Sequence, residues 1–205
     1  MVTVFFVDIR GFSAIAEDLE PERLHALLND YFRVVIEALT KYNGFIDKFI
    51  GDNVMALFAR SASPEQGALD AVGAAIDVQR SLARFNEAQA VANGPKIEVG
   101  IGINTGEVML GNIGCESRME FTAIGDAVNV SARLQSLAAP GEILVGQETA
   151  SLISKCYEAL DRGKQSVKGR AGQVRVFAVN LPAIPEPSDT PVEDPPAGTG
   201  STSVS

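Results

Sequence analysis

The segment from residue 97 to 104 strictly alternates apolar residues with small or polar ones, a pattern that predicts a half-buried β-strand. Four apolar residues share one face of this strand: Ile97, Val99, Ile101 and Ile103. The other face is nearly bare, because Gly100 and Gly102 have no side chains. Glycines inside a strand allow another backbone to approach closely. We therefore expect this strand to be covered by a core on one face and by a closely packed element on the other.

Two helical segments and a hairpin are predicted before this strand. Apolar residues recur at helical spacing from Arg23 to Leu39 and again from about Pro64 to Phe85, which predicts two amphipathic helices. Between them, the β-rich runs Phe45–Ile50 and Val54–Phe58 flank the turn-forming residues Gly51-Asp52-Asn53. This arrangement predicts a β-hairpin.

The remaining elements are shorter. A strand-like run opens the chain at Val2–Val7, and the later elements are a helix from Gly125-Asp126 to before Pro140, strands around Ile143, Cys156 and Val174–Val179, and a small helix at Gln147–Ile153. The order β, α, β, β, α, β, then α and β, indicates an α+β fold. We expect an α/β sandwich in which helices cover a mostly antiparallel sheet.

Composition limits the classes of function. The 205 residues suit one folded domain, which we place at 1–181, followed by a Pro-, Ser- and acid-rich tail at 182–205 that we predict to be disordered. The net charge of −9 argues against a nucleic-acid partner. No apolar run is long enough to span a membrane, and no secretory segment is visible, so we expect a cytoplasmic domain.

The two cysteines, Cys115 and Cys156, stand outside any CxxC or Cys/His cluster. We interpret both as reduced thiols that act as small buried hydrophobic residues, with no structural zinc.

Two carboxylates are candidates for metal binding. Asp8 lies where the first strand ends, and Asp52 lies in the predicted hairpin turn. Each has an ordinary structural explanation as a turn or capping residue. If the first strand neighbours the hairpin, however, both side chains emerge at one end of the sheet and can share two divalent ions about 3.5–4 Å apart. Oxygen ligands favour Mg²⁺ or Mn²⁺, which often complete their shells with substrate phosphates.

Further polar residues are suitable for recognising a nucleotide. Lys48 precedes Asp52 by four positions, while Asn129 and Arg133 share one face of the third predicted helix. Arginine offers a planar, permanently charged fork for a phosphate. Taken singly, each of these residues could equally be part of a solvated face, and Thr122 could be an ordinary strand residue.

Together these residues form three ordered motifs that resemble the class III nucleotidyl cyclase catalytic domain. The motifs are FVDIRGFS at 6–13, DKFIGDNVMALF at 47–58 and FTAIGDAVNVSARL at 121–134. The resemblance covers about residues 1–181 and is greatest to bacterial and soluble-type adenylate cyclases, which carry Thr where membrane-type enzymes carry Asp. It implies a ferredoxin-like palm core, a two-metal mechanism and a head-to-tail homodimer with active sites at the interface.

The resemblance also implies a role for each residue. Asp8, Ile9 and Asp52 would bind two Mg²⁺ or Mn²⁺ ions, and the backbone at Gly11 and Phe12, with Lys168, would contact the triphosphate. Lys48 and Thr122 would contact the purine, Asn129 would orient the ribose, and Arg133 would stabilise the α-phosphate. The metal-binding and purine-binding residues of one site would come from different protomers.

The implied reaction is attack of the ribose 3′-oxygen on the α-phosphorus of ATP, which releases cyclic AMP and pyrophosphate. The Lys48 ammonium can only donate, so it matches adenine N1 and not the N1–H of guanine. The Thr122 hydroxyl is less decisive, because it can donate or accept. Guanylate cyclases of this family usually place Glu and Cys at these two positions.

Several alternatives remain open at this point. They are a guanylate cyclase, a metal-dependent palm domain acting on polynucleotides, and a nucleotide-binding dimerisation module without turnover. The negative charge disfavours the polynucleotide enzyme. The Thr122 subtype resembles cyclases that respond to bicarbonate, or in some members to calcium, and bicarbonate stimulation is a further hypothesis.

Overall fold

The computed structural model describes residues 1–59, 61–166 and 173–180. In these ranges the strands are β1 Val2–Ile9, β2 Phe45–Ile50, β3 Asn53–Phe58, β4 Val99–Gly106, β5 Met109–Cys115, β6 Arg118–Ile124, β7 Ile143–Gly146, β8 Ala159–Ser166 and β9 Gln173–Val179. The helices are α1 Phe12–Asp18, α2 Pro21–Lys41, α3 Pro64–Val91, α4 Asp126–Leu137 and α5 Gln147–Ile153. Lys168 and the predicted tail at 182–205 lie outside the described residues.

The main sheet has seven strands in the order β2-β3-β1-β4-β7-β9-β8. Its first four strands pair antiparallel, and with the intervening helices they form the βαββαβ unit of a ferredoxin-like core. The β4–β7 pair is the one parallel pair in the described sheet. The predicted α+β class, with helices covering a mostly antiparallel sheet, is confirmed.

The two faces of the sheet are covered differently. The larger core joins odd-numbered residues of β1 and β4, such as Phe5 and Ile101, to apolar residues of α2, α3 and α5. The opposite face carries α4 and part of the separate β5–β6 hairpin, where Met55 packs near Ala123. Successive side chains of a strand point to opposite faces, so the even-numbered residues of β1, Val4, Phe6 and Asp8, point toward this second face.

The bare face of β4 is covered by α4, as its glycines predict. A Cβ built at Gly102 would lie 2.1 Å from the backbone nitrogen of Gln135 and 2.3 Å from the carbonyl oxygen of Ser131. The Ser131 hydroxyl oxygen lies 2.8 Å from the carbonyl oxygen of Val4 and 2.9 Å from that of Gly102, so its one proton is shared between the two acceptors. The helix is therefore seated directly on the backbones of β1 and β4.

We expect Gly102→Ala to destabilise the fold by about 3 kcal/mol, because the new methyl group would meet helix backbone that can move only with the whole helix. Chemical denaturation monitored by circular dichroism would measure the free energy of unfolding. Gly111→Ala is the matched control, because a Cβ at Gly111 would meet nothing within 4 Å. Equal stability of the two variants would contradict the close seating of α4.

The predicted helices and hairpin are confirmed, with small changes at their ends. The Ser63 side chain accepts a hydrogen bond from the Gln66 amide at 3.1 Å and begins α3, which continues to Val91. The predicted strand at 97–104 begins two residues later, because the Asn86 side chain bonds both the backbone nitrogen and the carbonyl of Ile97.

Two predictions about the cysteines are wrong. Both Cys115 and Cys156 are exposed, because both lie at turns and neither faces the core. Cys156 is also outside any strand: its amide donates to the Ile153 carbonyl at 2.9 Å in the turn that ends α5, and the strand begins at Ala159.

The described residues include no helix long and apolar enough to span a membrane.

Candidate active site

The two predicted metal-binding carboxylates lie side by side at one end of the sheet. Asp52 lies in the β2–β3 turn, and the pairing of β3 with β1 returns this turn to the end of β1. The Ile9 amide donates to Oδ2 of Asp52 at 3.1 Å. Oδ2 of Asp8 accepts hydrogen bonds from the Arg10 guanidinium at 3.4 Å and from the side-chain amide of Gln135 at 3.2 Å.

The negative charges of the two carboxylates repel each other when both are ionised. Partial burial, followed by the negative charge of Asp8 and a hydrogen bond with it, raises the pKa of Asp52 to about 6. Tyr31 lies beneath the pair, fully buried, and its hydroxyl has no hydrogen-bond partner among the described residues. Burial, and then the charges of Asp52 and Asp8, raise the pKa of Tyr31 well above its usual value.

These residues fit divalent cations. Two adjacent carboxylates that resist joint ionisation gain from a shared positive charge, and their oxygen atoms suit Mg²⁺ or Mn²⁺. The backbone carbonyl of Ile9 could add a third oxygen. No cluster of three or more His, Cys, Asp or Glu side chains that could hold a metal occurs in the described ranges. Asp8 and Asp52 thus supply only part of a coordination shell, which leaves positions for substrate phosphates.

We expect Asp52→Asn to raise the melting temperature of the metal-free protein by about 2–4 °C, corresponding to about 1 kcal/mol after allowance for solvent screening. Because folding raises the Asp52 pKa from 3.8 to about 6, the folded state binds more protons between these pH values. Wild-type stability should therefore fall as pH rises through this window, whereas the variant should lack this slope. Thermal denaturation in a chelator measures both effects.

The control for this experiment is Asp161→Asn. Hydrogen bonds from Arg175 and from the Gly163 amide lower the pKa of exposed Asp161, so its removal should leave stability unchanged or reduce it. Added Mn²⁺ should stabilise the wild type more than Asp52→Asn. A lower melting temperature of Asp52→Asn in the chelator would contradict the strained pair.

The two predicted purine-contacting residues lie in a second cluster, on β2 and β6. Lys48 pairs with Met55 across the hairpin, which places its side chain on the α4 face of the sheet. Its ammonium lies 2.6 Å from a Glu120 carboxylate oxygen and 3.6 Å from Oδ2 of Asp47. Hydrogen bonding to Glu120 is the largest cause of a raised Lys48 pKa. The Thr122 hydroxyl donates to Oδ2 of Asp47 at 2.7 Å.

A β-bulge brings this cluster together. The register of β2 against β3 shifts between Ile46 and Lys48, so Asp47 is an extra residue in the strand. In a regular strand the consecutive side chains of Asp47 and Lys48 would point to opposite faces. A bulge redirects side chains locally, and here it allows both to approach Thr122 and Glu120.

The two predicted residues of α4, Asn129 and Arg133, lie apart from the Asp8–Asp52 pair. Gln135, on the buried side of α4, contacts both Asp8 and, at 3.3 Å, the Asn53 side chain. Arg133 is two residues from Gln135, which corresponds to about 200° around an α-helix. The helix therefore directs Arg133 away from the carboxylates of its own chain. Asn129, on the same side as Arg133, is exposed.

The predicted phosphate-binding turn follows β1. Gly11 has a left-handed backbone conformation with φ of 70° and caps α1, which begins at Phe12. The first amides of a helix have no intrahelical acceptors and can therefore face an anion. Lys168, the other predicted phosphate contact, is outside the described residues.

Sequence reasoning missed three residues of these clusters. Asp47 was adjacent to a predicted contact, but only strand pairing reveals its bulge. Gln135 is on the buried side of a helix where apolar residues were expected. Tyr31 fits the apolar stripe of α2, so its sequence pattern does not distinguish it from a core residue.

Comparisons with known proteins agree with this geometry. A family profile described as "Adenylate and Guanylate cyclase catalytic domain" matches residues 1–180. "Adenylate cyclase" of Anabaena cylindrica is 43% identical over 190 residues, covering 87% of this chain and 36% of that protein. The crystal structure of the adenylyl cyclase CyaB from P. aeruginosa is similar with a TM-score of 0.84 and 38% identity, covering 87% of this chain and 93% of that one.

A guanylyl cyclase structure is nearly as similar. The crystal structure of Cya2 has a TM-score of 0.81 and 33% identity, with 87% of this chain and 90% of that chain covered. The chain spans about a third of the length of the Anabaena relative. The chain is therefore similar both to proteins named adenylate or adenylyl cyclase and to one named guanylyl cyclase. Its match to the Anabaena protein covers one segment of that longer chain. The profile match and these identities show that the chain belongs to the adenylate and guanylate cyclase catalytic-domain family.

Proposed function

We propose that the chain is an adenylate cyclase domain that converts ATP to 3′,5′-cyclic AMP and pyrophosphate, in the cytoplasm, at sites shared across a head-to-tail homodimer. The observation that carries this proposal is the presence of two separate clusters on one chain. Asp8 and Asp52 form an oxygen-rich pair suited to cations, while Lys48 and Thr122 form a polar cluster suited to a purine edge.

Each cluster has a distinct part in the proposed reaction. Asp8, Ile9 and Asp52 would hold two Mg²⁺ or Mn²⁺ ions, which when bound supply positive charge that acidifies the 3′-hydroxyl and stabilises the leaving pyrophosphate. Gly11 and Phe12 would offer backbone amides to the triphosphate, with Lys168 as a further contact. Asn129 would hold the ribose in position. Arg133 would stabilise negative charge that develops at the α-phosphate.

The preference for ATP rests first on Lys48. An ammonium group donates hydrogen bonds and accepts none, so it pairs with adenine N1 and not with guanine N1–H. In this structure the Lys48 ammonium is held by Glu120. Glu120 is half exposed, so adenine can take its place as a partner of Lys48 without leaving a buried charge unpaired.

The proposed dimer is supported by exposed apolar residues on the β5–β6 hairpin. These residues are Met109, Leu110, Ile113, Met119, Phe121 and Ile124. By the hairpin register they lie three to a face, and an exposed apolar patch concentrated on one element marks an interaction surface. A second copy packed on the hairpin would bury this patch and would bring the β6 cluster of one chain toward the metal-binding pair of the other.

Product formation tests the proposed function. ATP and GTP are each supplied with Mg²⁺ or Mn²⁺ across a range of protein concentrations. Cyclic AMP should form, at a rate that rises faster than linearly at low concentration, where dimers dissociate. Preferential formation of cyclic GMP would assign a guanylate cyclase. Nucleotide binding without a cyclic product would assign a non-catalytic dimerisation module.

Regulation by bicarbonate is also proposed, on the Thr122 resemblance alone, with calcium as the other candidate effector. At fixed pH and ionic strength, added bicarbonate should increase cyclic AMP formation, and chloride is the control anion. A rate that ignores bicarbonate would remove this part of the proposal.

A further inference from the structure

Asp47 is a buried carboxylate to which neither the metal pair nor the predicted purine contacts assign a role. Its side chain is fully buried, and its Oδ2 accepts the Thr122 hydroxyl proton at 2.7 Å. Its Oδ1 is also buried and has no donor among the described residues. A buried carboxylate carries a large desolvation cost, so a position of this kind requires strong partners.

We propose that Asp47 determines purine specificity by fixing the Thr122 hydroxyl as a hydrogen-bond acceptor. A hydroxyl has one proton to donate and two lone pairs that accept. Because the Thr122 proton is directed to Asp47, only its lone pairs remain for a ligand. The inference rests on the proposed function, in which Thr122 contacts the purine, and it resolves the ambiguity of an isolated hydroxyl.

The polarity set by Asp47 distinguishes the two purines at position 6. Adenine has an amino group there, which can donate to the Thr122 oxygen. Guanine has a carbonyl oxygen there, which would face a second acceptor. A site whose buried polar groups match one substrate rejects an analogue that leaves them unpaired.

Asp47 acts mainly through Thr122 rather than through Lys48. The Lys48 ammonium is 3.6 Å from Oδ2 of Asp47, beyond hydrogen-bond distance, whereas the Thr122 hydroxyl donates to the same oxygen at 2.7 Å, so a change of Asp47 alters the Thr122 contact most directly. Thr122 has Asp47 as its side-chain partner within the described part of the chain. Asp47 is therefore a positioning residue, and its effect should appear in substrate preference.

The test measures kcat/KM for ATP and for GTP in the 205-residue chain and in its Asp47→Asn, Thr122→Val and double variants. We expect the wild type to prefer ATP and Asp47→Asn to lower the ATP:GTP ratio by about 10- to 100-fold, the range expected when one such hydrogen bond is mismatched. The introduced amide can donate to the Thr122 oxygen and release the Thr122 proton for the guanine carbonyl. Adding Asp47→Asn to Thr122→Val should change the ratio little further.

Glu120→Gln is the matched control, because it removes a carboxylate from Lys48 without changing the partner of Thr122. It should shift the ATP:GTP ratio much less than Asp47→Asn does. An equal shift, an unchanged ratio in Asp47→Asn, or a full additional effect in the double variant would overturn the inference while leaving the adenylate cyclase assignment standing. A wild type that makes no cyclic AMP, or that prefers GTP, would overturn both.

If Asp47→Asn does not fold, a substrate analogue tests the same inference without changing Asp47. The triphosphate of purine riboside lacks the 6-amino group and is compared with ATP in the wild type and in Thr122→Val. Removal of the amino group should lower kcat/KM about 10-fold or more in the wild type and much less in Thr122→Val. Equal losses in the two proteins would overturn the inference.

Discussion

Replacing Asp52 or Asp8 by asparagine is expected to reduce cyclase turnover by about 1,000-fold or more, corresponding to several kcal/mol of lost transition-state stabilisation. The amide has nearly the shape of the carboxylate but lacks its charge, so the pair could no longer hold two divalent ions. The Ile9 amide can still donate to the side-chain oxygen at position 52, and the turn should keep its conformation. Initial rates of cyclic AMP formation at saturating ATP and Mn²⁺ measure the effect.

Stability measurements separate this loss from unfolding. Asp52→Asn should melt at or above the wild-type temperature in a chelator, because removal of its charge relieves repulsion from Asp8. Asp30→Asn, which changes an exposed carboxylate paired with Arg33 on α2, is the control for a nonspecific charge effect and should retain turnover. Substantial turnover in Asp52→Asn, or a loss of folding in step with a loss of activity, would contradict the metal-binding role.

Local patterns were sufficient for most of the elements that build the central sheet, β8 being the exception. The alternation at 97–104 predicted both the strand and its close cover, and Gly102 proved to lie against the backbone of α4. The Gly51-Asp52 turn likewise placed a carboxylate beside β1, since the hairpin and β1 are neighbours in the sheet. These features follow from short-range periodicity and turn chemistry, which the sequence displays directly.

Features that depend on partners distant in sequence were not predicted. The β5–β6 hairpin exposes most of its residues, so it lacks the alternation that a core imposes on a strand. Helix α1 has only seven residues and none of them is fully buried, so Phe12 and Ile15, which pack at the edge of the core, are too short a pattern to predict it. The bulge at Asp47 is defined only by its register against β3, and its contact with Thr122 spans 75 positions.

Mixing Asp52→Asn chains with Arg133→Ala chains is expected to restore turnover that neither chain has alone. If each active site takes its carboxylates from one protomer and its arginine from the other, a mixed dimer contains one intact site and one doubly defective site. Random exchange of equal amounts produces half mixed dimers. Since each mixed dimer has one of the two wild-type sites, activity should approach about one quarter of that of an equal amount of wild type.

The geometry of α4 is the physical reason for this expectation. Gln135 contacts Asp8, whereas Arg133 lies about 200° around the helix and would turn toward the same carboxylates only if the whole helix rotated. The close seating of α4 on Gly102 opposes such a rotation. In the proposed dimer, the second chain would bring its Arg133 side chain to a phosphate held at the Asp8–Asp52 pair.

A second pairing makes the complementation test specific. Mixing Asp52→Asn with Asp8→Asn should restore nothing, because both changes fall on the same half of the site and every site in a mixed dimer carries one of them. Lys48→Ala should complement Asp52→Asn as Arg133→Ala does, although residues 48 and 52 are only four positions apart. No recovery with Arg133→Ala, at concentrations where sedimentation shows dimers, would mean that each site is built from one chain. Recovery with the Asp8 pair would mean that the two carboxylates of a site come from different chains.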